Sequence, residues 1–200
     1  NMYKIAGEAP PPAIHVAART IATHALSIFG DHSDIYAARS TGFAMLSSSN
    51  VFDAQNLAAV AHLSAIKGSV PFMHFFDGFR TSHEALKINT LDREDVIKLI
   101  NYDKIAEYKK RMLNVGNNIQ KGMAENEDVY FQSVMARSKD YEDVANVVND
   151  YMKKINKIMK TDYKPFNYYG CEDAEHVIVA MGSVCDTVKL VIDKLNDDGR

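Results

Sequence analysis

Cysteine is almost missing from this 200-residue chain, which holds only Cys171 and Cys185. Two thiols fourteen residues apart cannot build a disulfide framework, and they lack the close pairing of zinc or iron–sulfur ligands. Two reduced thiols in a reducing compartment are expected. Long apolar runs are missing too, because His24, His62 and Lys67 interrupt the candidates. None could span a bilayer, so no membrane partner is expected. A large charge of one sign is also absent. The formal net charge of -3 gives no electrostatic case for nucleic acid or an anionic surface. The opening residues "NMYKIAGE" show neither an initiator Met at position 1 nor the basic start and apolar core of a secretory signal. The closing "VIDKLNDDGR" runs a helical pattern into Gly199 with no strand to follow. The expectation is a piece of a larger polypeptide.

What is present is an ordinary globular composition, 46% hydrophobic and 24% charged, in a length suited to one domain or one and a part. After Pro10, Pro11 and Pro12, "AIHVAAR" reads as a short buried strand. "TIATHALSIF" suggests a helical turn ended by Gly30. "SDIYAARSTGFAMLSSS" suggests a short strand-like run, a break at Gly42 and a second apolar run from Phe43 to Leu46. "NVFDAQNLAAVAHLSAIKG" is the clearest helix. Asn50 can cap it, Asp53 suits its first turn, and Gly68 stops it. Its stripe is Val51, Ala54, Leu57, Ala58, Ala61 and Ala65. "SVPFMHFFDG" is a near-continuous apolar strand of the kind buried in a parallel sheet, which makes a strand–helix–strand crossover. "DREDVIKLI" and "DKIAEYKKRML" predict two helices that run from acidic to basic ends. The Asn- and Gly-rich stretch "NVGNNIQKGMAENEDVYFQ" predicts an extended surface connection. "YEDVANVVNDYMKKINKIMK" predicts an amphipathic helix with Val144, Val147, Val148, Tyr151, Ile155 and Ile158 inward. "DYKPFNYYGCED" reads as a linker. "HVIVAMGSVCDTVKLVIDKL" reads as strand, turn and helix, the way a second Rossmann-like domain begins.

Several polar constellations carry alternatives. "HFFDGFRTSHE" follows a strand, and ligands gather at the carboxyl ends of strands in open α/β sheets. The residues by themselves favour a turn in which Asp77 accepts backbone N–H groups, Gly78 allows a tight bend, and Arg80 pairs with Asp77 or Glu84. Arg19 also ends a strand. Its guanidinium could hold a carboxylate or phosphate through two parallel bonds, or form a structural ion pair with Glu8, Asp31 or Asp34. Seven histidines invite a metal reading. None has the spacing of a helical zinc site, and His15 and His74 read as hydrogen-bonded core residues. Asp31 and His32 are adjacent, so an Asx-type turn explains them better than a catalytic dyad. The single Gly182 in "MGSVCDTV" makes a weak phosphate cradle, and Ser183 reads as a helix cap.

Two blocks, "HVAARTIATHALSIFGDHSDIYAARSTGFAMLSSSNV" and "AAVAHLSAIKGSVPFMHFFDGFRTSHEALKI", closely resemble the pyruvate:ferredoxin (flavodoxin) oxidoreductases. The similarity continues through "DVYFQ" and "DAEHVIVAMGSVCDTV". The resemblance implies a transketolase-like, pyrimidine-type thiamine-binding α/β domain over residues 1–160, and the start of a Rossmann-like domain over 161–200. It implies thiamine-dependent oxidative decarboxylation of pyruvate with coenzyme A, giving acetyl-CoA and carbon dioxide. Electrons then pass through iron–sulfur clusters to ferredoxin or flavodoxin. Thiamine diphosphate, Mg2+ and [4Fe-4S] clusters are the implied cofactors, and a homodimer in the cytoplasm or an anaerobic organelle the implied setting. Arg19 falls on the family arginine that contacts the substrate carboxylate. The activating glutamate, the cluster cysteines and the diphosphate-binding domain match nothing in this chain, so no catalytic residue and no metal ligand is expected within it. Three prolines in "GEAPPPAIH" and the stretch "GMAENEDVYFQ" depart from the family pattern. Alternatives are a related 2-oxoacid oxidoreductase, a fusion to an NADP reductase, or a non-catalytic scaffold copy.

Overall fold

The computed structural model describes residues 1–120 and 123–199. Helix α1 (Met2–Glu8) leads through the prolines to strand β1 (Ala13–Ala18). Helix α2 (Ser33–Ala38) and a 3-10 turn (Arg39–Thr41) precede β2 (Ala44–Ser47), helix α3 (Val51–Gly68) and β3 (Phe72–Asp77). Helices α4 (Arg93–Leu99), α5 (Tyr102–Lys110), α6 (Glu127–Glu142), α7 (Val144–Met159) and α8 (Val184–Asp197) follow. The three strands form one parallel sheet in the order β1-β3-β2. The expected parallel α/β architecture is therefore present, with β3 at its centre.

Parallel neighbours on both sides explain why β3 is almost wholly apolar. Its alternate residues serve two cores. Phe72 packs with Leu57, Val60, Ala61, Val147, Val148, Tyr151, Met152 and Ile155 from α3 and α7. Met73 and Phe75 pack on the opposite face with Ala6, Ala18, Ile35 and Phe43. On α3 the buried face is centred on Leu57, Val60, Ala61, Ser64 and Ala65. It is thus rotated slightly from the expected stripe, and Val51, Ala54 and Ala58 are only half-buried. Asn50 caps α3 as expected, its side-chain oxygen accepting the Asp53 N–H at 2.9 Å. Ser69, at φ 52°, ends the helix just after Gly68. The inward face of α7 is the expected one, with Met152 added and Ile158 at its margin.

Several expectations are corrected. β1 has a neighbour on one side only, so Ile14 and His15 stand exposed rather than buried. Residues 20–29 form no helix; they loop out and return to pair Gly30 with Arg19 in an antiparallel bridge. Ser33–Ala38 is helical, not strand-like, with Asp34 in the first turn where the helix dipole favours it. Glu127–Glu142 is a four-turn helix, so only the first part of the Asn- and Gly-rich stretch is irregular. Lys121 and Gly122 in that stretch lie outside the described residues. Arg137 anchors α6, its Nε donating to the Ala6 carbonyl at 2.9 Å while Asp140 of the same helix steadies its Nη1 at 2.5 Å. Tyr141 adds a bond to the Gly42 carbonyl at 2.6 Å. Weak apolar periodicity hid this helix, because polar anchors hold it.

Residues 160–183 carry no helix or strand, as the linker reading expects for their first half. The strand expected at 176–181 does not form among the described residues: Val177, Ile178 and Val179 have no sheet partner and face solvent. A strand exists only through a neighbour's hydrogen bonds, and an apolar run alone cannot supply one. Helix α8 forms where expected.

Candidate functional site at the carboxyl edge of the sheet

The carboxyl ends of β1, β2 and β3 bring together Arg19, Ser48–Asn50 and the turn Asp77–Thr81. The backbone closes this edge tightly. The Ala18 carbonyl accepts the Gly78 N–H at 2.9 Å and the Asp31 N–H at 3.4 Å. Glycine is required at 78, because a Cβ there would lie 2.5 Å from Arg19 Cγ and 2.7 Å from its Nε. The Arg19 stem therefore crosses directly over the Gly78 backbone.

Arg19 itself is half-buried. Its N–H donates to Asp34 Oδ2 at 3.0 Å, and its Nε donates to the Ile28 carbonyl at 3.1 Å. Among the described residues its guanidinium makes no ion pair with Glu8, Asp31 or Asp34. The side-chain ion-pair reading is thus replaced by a backbone bond to Asp34, which leaves the terminal nitrogens free of any carboxylate. A cation oriented by a backbone carbonyl and not neutralised is a suitable receptor for a small carboxylate. Phe29 and Phe79, 5.0 Å apart between ring centroids in an edge-to-face pair, flank the loop that carries Ile28.

Asp77 does more than organise its own turn. Its backbone carbonyl accepts the Thr81 and Ser82 N–H groups, so the expected turn is closed by main chain and not by an Asp77 side-chain cap. Its carboxylate reaches elsewhere. Oδ1 accepts from His32 Nε2 at 2.7 Å, and Oδ2 accepts from the Ser183 N–H at 2.9 Å and hydroxyl at 2.5 Å. Burial pushes this carboxyl up, but the two bonds from Ser183 and the one from His32 outweigh it and hold it below the usual carboxylate range. Gly182, at φ 81°, is the approach point, since a Cβ there would stand 2.6 Å from Asp77 Oδ1. Ser183 therefore makes no cap of its own helix. Asn50 supplies a second tie, Nδ2 donating to Asp186 Oδ2 at 3.0 Å. The "MGSVCDTV" turn is not a local device; it docks on the sheet edge. Its single glycine was the available signal, but nothing in the sequence names a partner 106 residues away.

Arg80 is exposed and makes no ion pair with Asp77 or Glu84 among the described residues. His32 joins Asp77 rather than its neighbour Asp31, whose Oδ1 accepts the Ser33 N–H in an Asx-type turn, as expected. Among the described residues no three His, Cys, Asp or Glu side chains converge on a common point fit for a metal ion. No described helix is long and apolar enough to cross a membrane.

The family profile described as "Pyruvate flavodoxin/ferredoxin oxidoreductase, thiamine diP-bdg" matches residues 1–153. The chain is 50% identical over 199 residues to the pyruvate-flavodoxin oxidoreductase of Enterobacter agglomerans and 49% identical to the pyruvate:ferredoxin oxidoreductase of Moorella thermoacetica. Each alignment covers 100% of this chain and 17% of the relative. It is also 48% identical to the pyruvate dehydrogenase [NADP(+)] of Cryptosporidium parvum, over 98% of this chain and 10% of that protein. The chain thus spans about a sixth or less of these relatives' length. By the extent of the profile match and the level of identity, it belongs to the pyruvate flavodoxin/ferredoxin oxidoreductase family, to which it contributes thiamine-diphosphate-binding domain sequence.

Proposed function

We propose that this chain forms one wall of the thiamine site of a pyruvate:ferredoxin (flavodoxin) oxidoreductase, with Arg19 holding the substrate carboxylate. The supporting observation is the half-buried Arg19 at the carboxyl end of β1, aimed by the Ile28 carbonyl and paired with no acid among the described residues. Bound thiamine diphosphate would supply an electron sink for decarboxylation of the 2-oxo acid. The edge suits the substrate-facing end of that cofactor, offering a cation and the Phe29–Phe79 aromatic pair. Among the described residues no three His, Cys, Asp or Glu side chains converge there. In this reading Mg2+, the [4Fe-4S] clusters, the coenzyme A site and the partner surface of a homodimer are supplied by other segments. The domain boundary near residue 160 is supported by the profile match ending at 153 and α7 ending at Met159. Residues 161–200 then begin the Rossmann-like unit. A soluble enzyme of the cytoplasm or an anaerobic organelle, active in anaerobic electron transport, is the matching setting.

A guanidinium that only orients substrate acts by fixing the reacting geometry. In the full-length enzyme, Arg19→Ala should lower kcat/KM for pyruvate by about 100-fold or more, with iron–sulfur absorbance unchanged. Arg19→Lys should recover part of the loss, because a point charge lacks the two-pronged geometry. Unaltered kinetics in Arg19→Ala would sink the assignment. The similarity to the Cryptosporidium protein supports a second reading, in which the same wall serves an enzyme that reduces NADP. Replacing ferredoxin by NADP in the same assay separates the two.

A further inference from the structure

Across the face of the sheet covered by α3 runs a row of polar side chains that the carboxyl-edge site does not use. His15 on β1 and His74 on β3 are register partners, with Nδ1 to Nδ1 at 2.9 Å. His15 Nε2 lies 2.9 Å from His62 Nε2 on α3. His74 Nε2 lies 2.7 Å from Ser48 Oγ, just past the end of β2. The row runs from exposed His62 to His74 and Ser48, each only 1% exposed. A single ion could not join the three rings, because His15 turns its two nitrogens to opposite neighbours.

Each nitrogen-to-nitrogen contact has room for one hydrogen, supplied by one ring and accepted by the other. With all three rings neutral the row is satisfied in two ways. The hydrogens can all point inward, from His62 to His15 to His74 to Ser48, or all outward. One added proton also fits, on whichever ring it sits. Two do not. Adjacent imidazolium rings would place two hydrogens in one contact, and charges on His62 and His74 would leave neutral His15 with no nitrogen for its own hydrogen. Burial lowers the pKa of all three rings, and like-charge repulsion from His15 lowers His62 further and, with His62, lowers His74; among the described residues no ion pair with a carboxylate reaches the row.

We propose that His15, His62 and His74, closed by Ser48, form a shared-proton site that accepts one proton and no more, and that a second proton parts β1 from α3. With the hydrogens pointing inward, His62 Nδ1 can take up a proton and pass its Nε2 hydrogen to His15 Nε2; the charge then lies on His15, whose Nδ1 hydrogen stays bonded to His74, while His74 keeps its Nε2 hydrogen on Ser48, so no other reactant is needed. The test is residue-resolved deuterium exchange at the imidazole C2 position, followed by mass spectrometry, on the full-length protein between pH 4.5 and 8. The three histidines should titrate as one coupled set. In His62→Gln, whose amide keeps the contact but cannot be charged, the His15 titration should move up by about one pH unit as its competitor disappears. Backbone amides of residues 13–18 should exchange faster in the wild type once the second proton binds, and this onset should move to lower pH in His62→Gln. Independent titrations, unmoved by His62→Gln, would overturn the proposal. So would acid-induced exchange in residues 13–18 that is identical in the two proteins.

Discussion

The Asp77 carboxylate is the residue on which most of the carboxyl edge depends. It joins the end of β3 to His32 and to the turn before α8. Asp77→Asn keeps the shape but replaces one acceptor oxygen by a donor facing N–H or O–H. Bonds to a charged partner contribute about 1.5–3 kcal/mol each when broken singly. The expected outcome is local: faster proteolysis of the 160–183 segment and faster amide exchange at the start of α8, with β3 unaffected. The pH sign follows from the folded carboxyl lying below its ordinary 3.8. This group's stabilisation is complete above that value and drains away as pH falls through the lower folded value. Exchange at α8 followed from pH 5 downward checks it. Arg19 and Asp77 were both visible in the sequence as strand-end polar residues. What could not be read was their partners. The Ile28 carbonyl is backbone, and Ser183 is remote.

At the scale of elements, α3 carries the sheet. Its position was legible because its signals are local: Asn50 as cap, Asp53 in the first turn, small apolar residues at helical spacing, Gly68 at the end. Helix α6 was hidden, because its stability comes from Arg137 and Tyr141 reaching α1 and Gly42 rather than from an apolar stripe. The strand expected at 176–181 was misread for the opposite reason. Its apolar pattern is strong, but pairing is a property of two strands. The small residues of α3 make a testable statement about packing. Ala61 and Ala65 are 0% exposed between the sheet and α7. Ala61→Leu should force the two layers apart and cost about 1–3 kcal/mol. Thermal unfolding should show it as a lowered midpoint for the transition that includes α3 and α7. Tyr163 adds a polar tie at the same interface, donating to Asp53 at 2.8 Å and accepting from Asn56 at 3.0 Å. Burial pushes its phenol well above the ordinary value, so it stays a donor over the whole working range.

For the whole molecule, acid is the expected weak point. Burial, with His15 and His62 nearby, pushes His74 down to about 4 from an ordinary 6.5. The unfolded chain therefore binds a proton that the folded chain refuses between those values. Stability is full above about pH 6.5 and falls by roughly 3 kcal/mol towards pH 4. Protection of β3 amides in the full-length protein, corrected for intrinsic exchange, should fall over that window, and His74→Phe should flatten the fall. The same histidine pair has a consequence for strand alignment. β1 reads Ala-Ile-His-Val-Ala-Ala, so its small apolar residues would satisfy the sheet almost as well if it slid two places along β3. The level at which His15 meets His74 resists the slide, because a two-place shift would set the buried His74 imidazole against an alanine methyl. Strands that begin 59 residues apart thus share an indexing mark, and Arg19, four residues beyond it, is aligned with that mark.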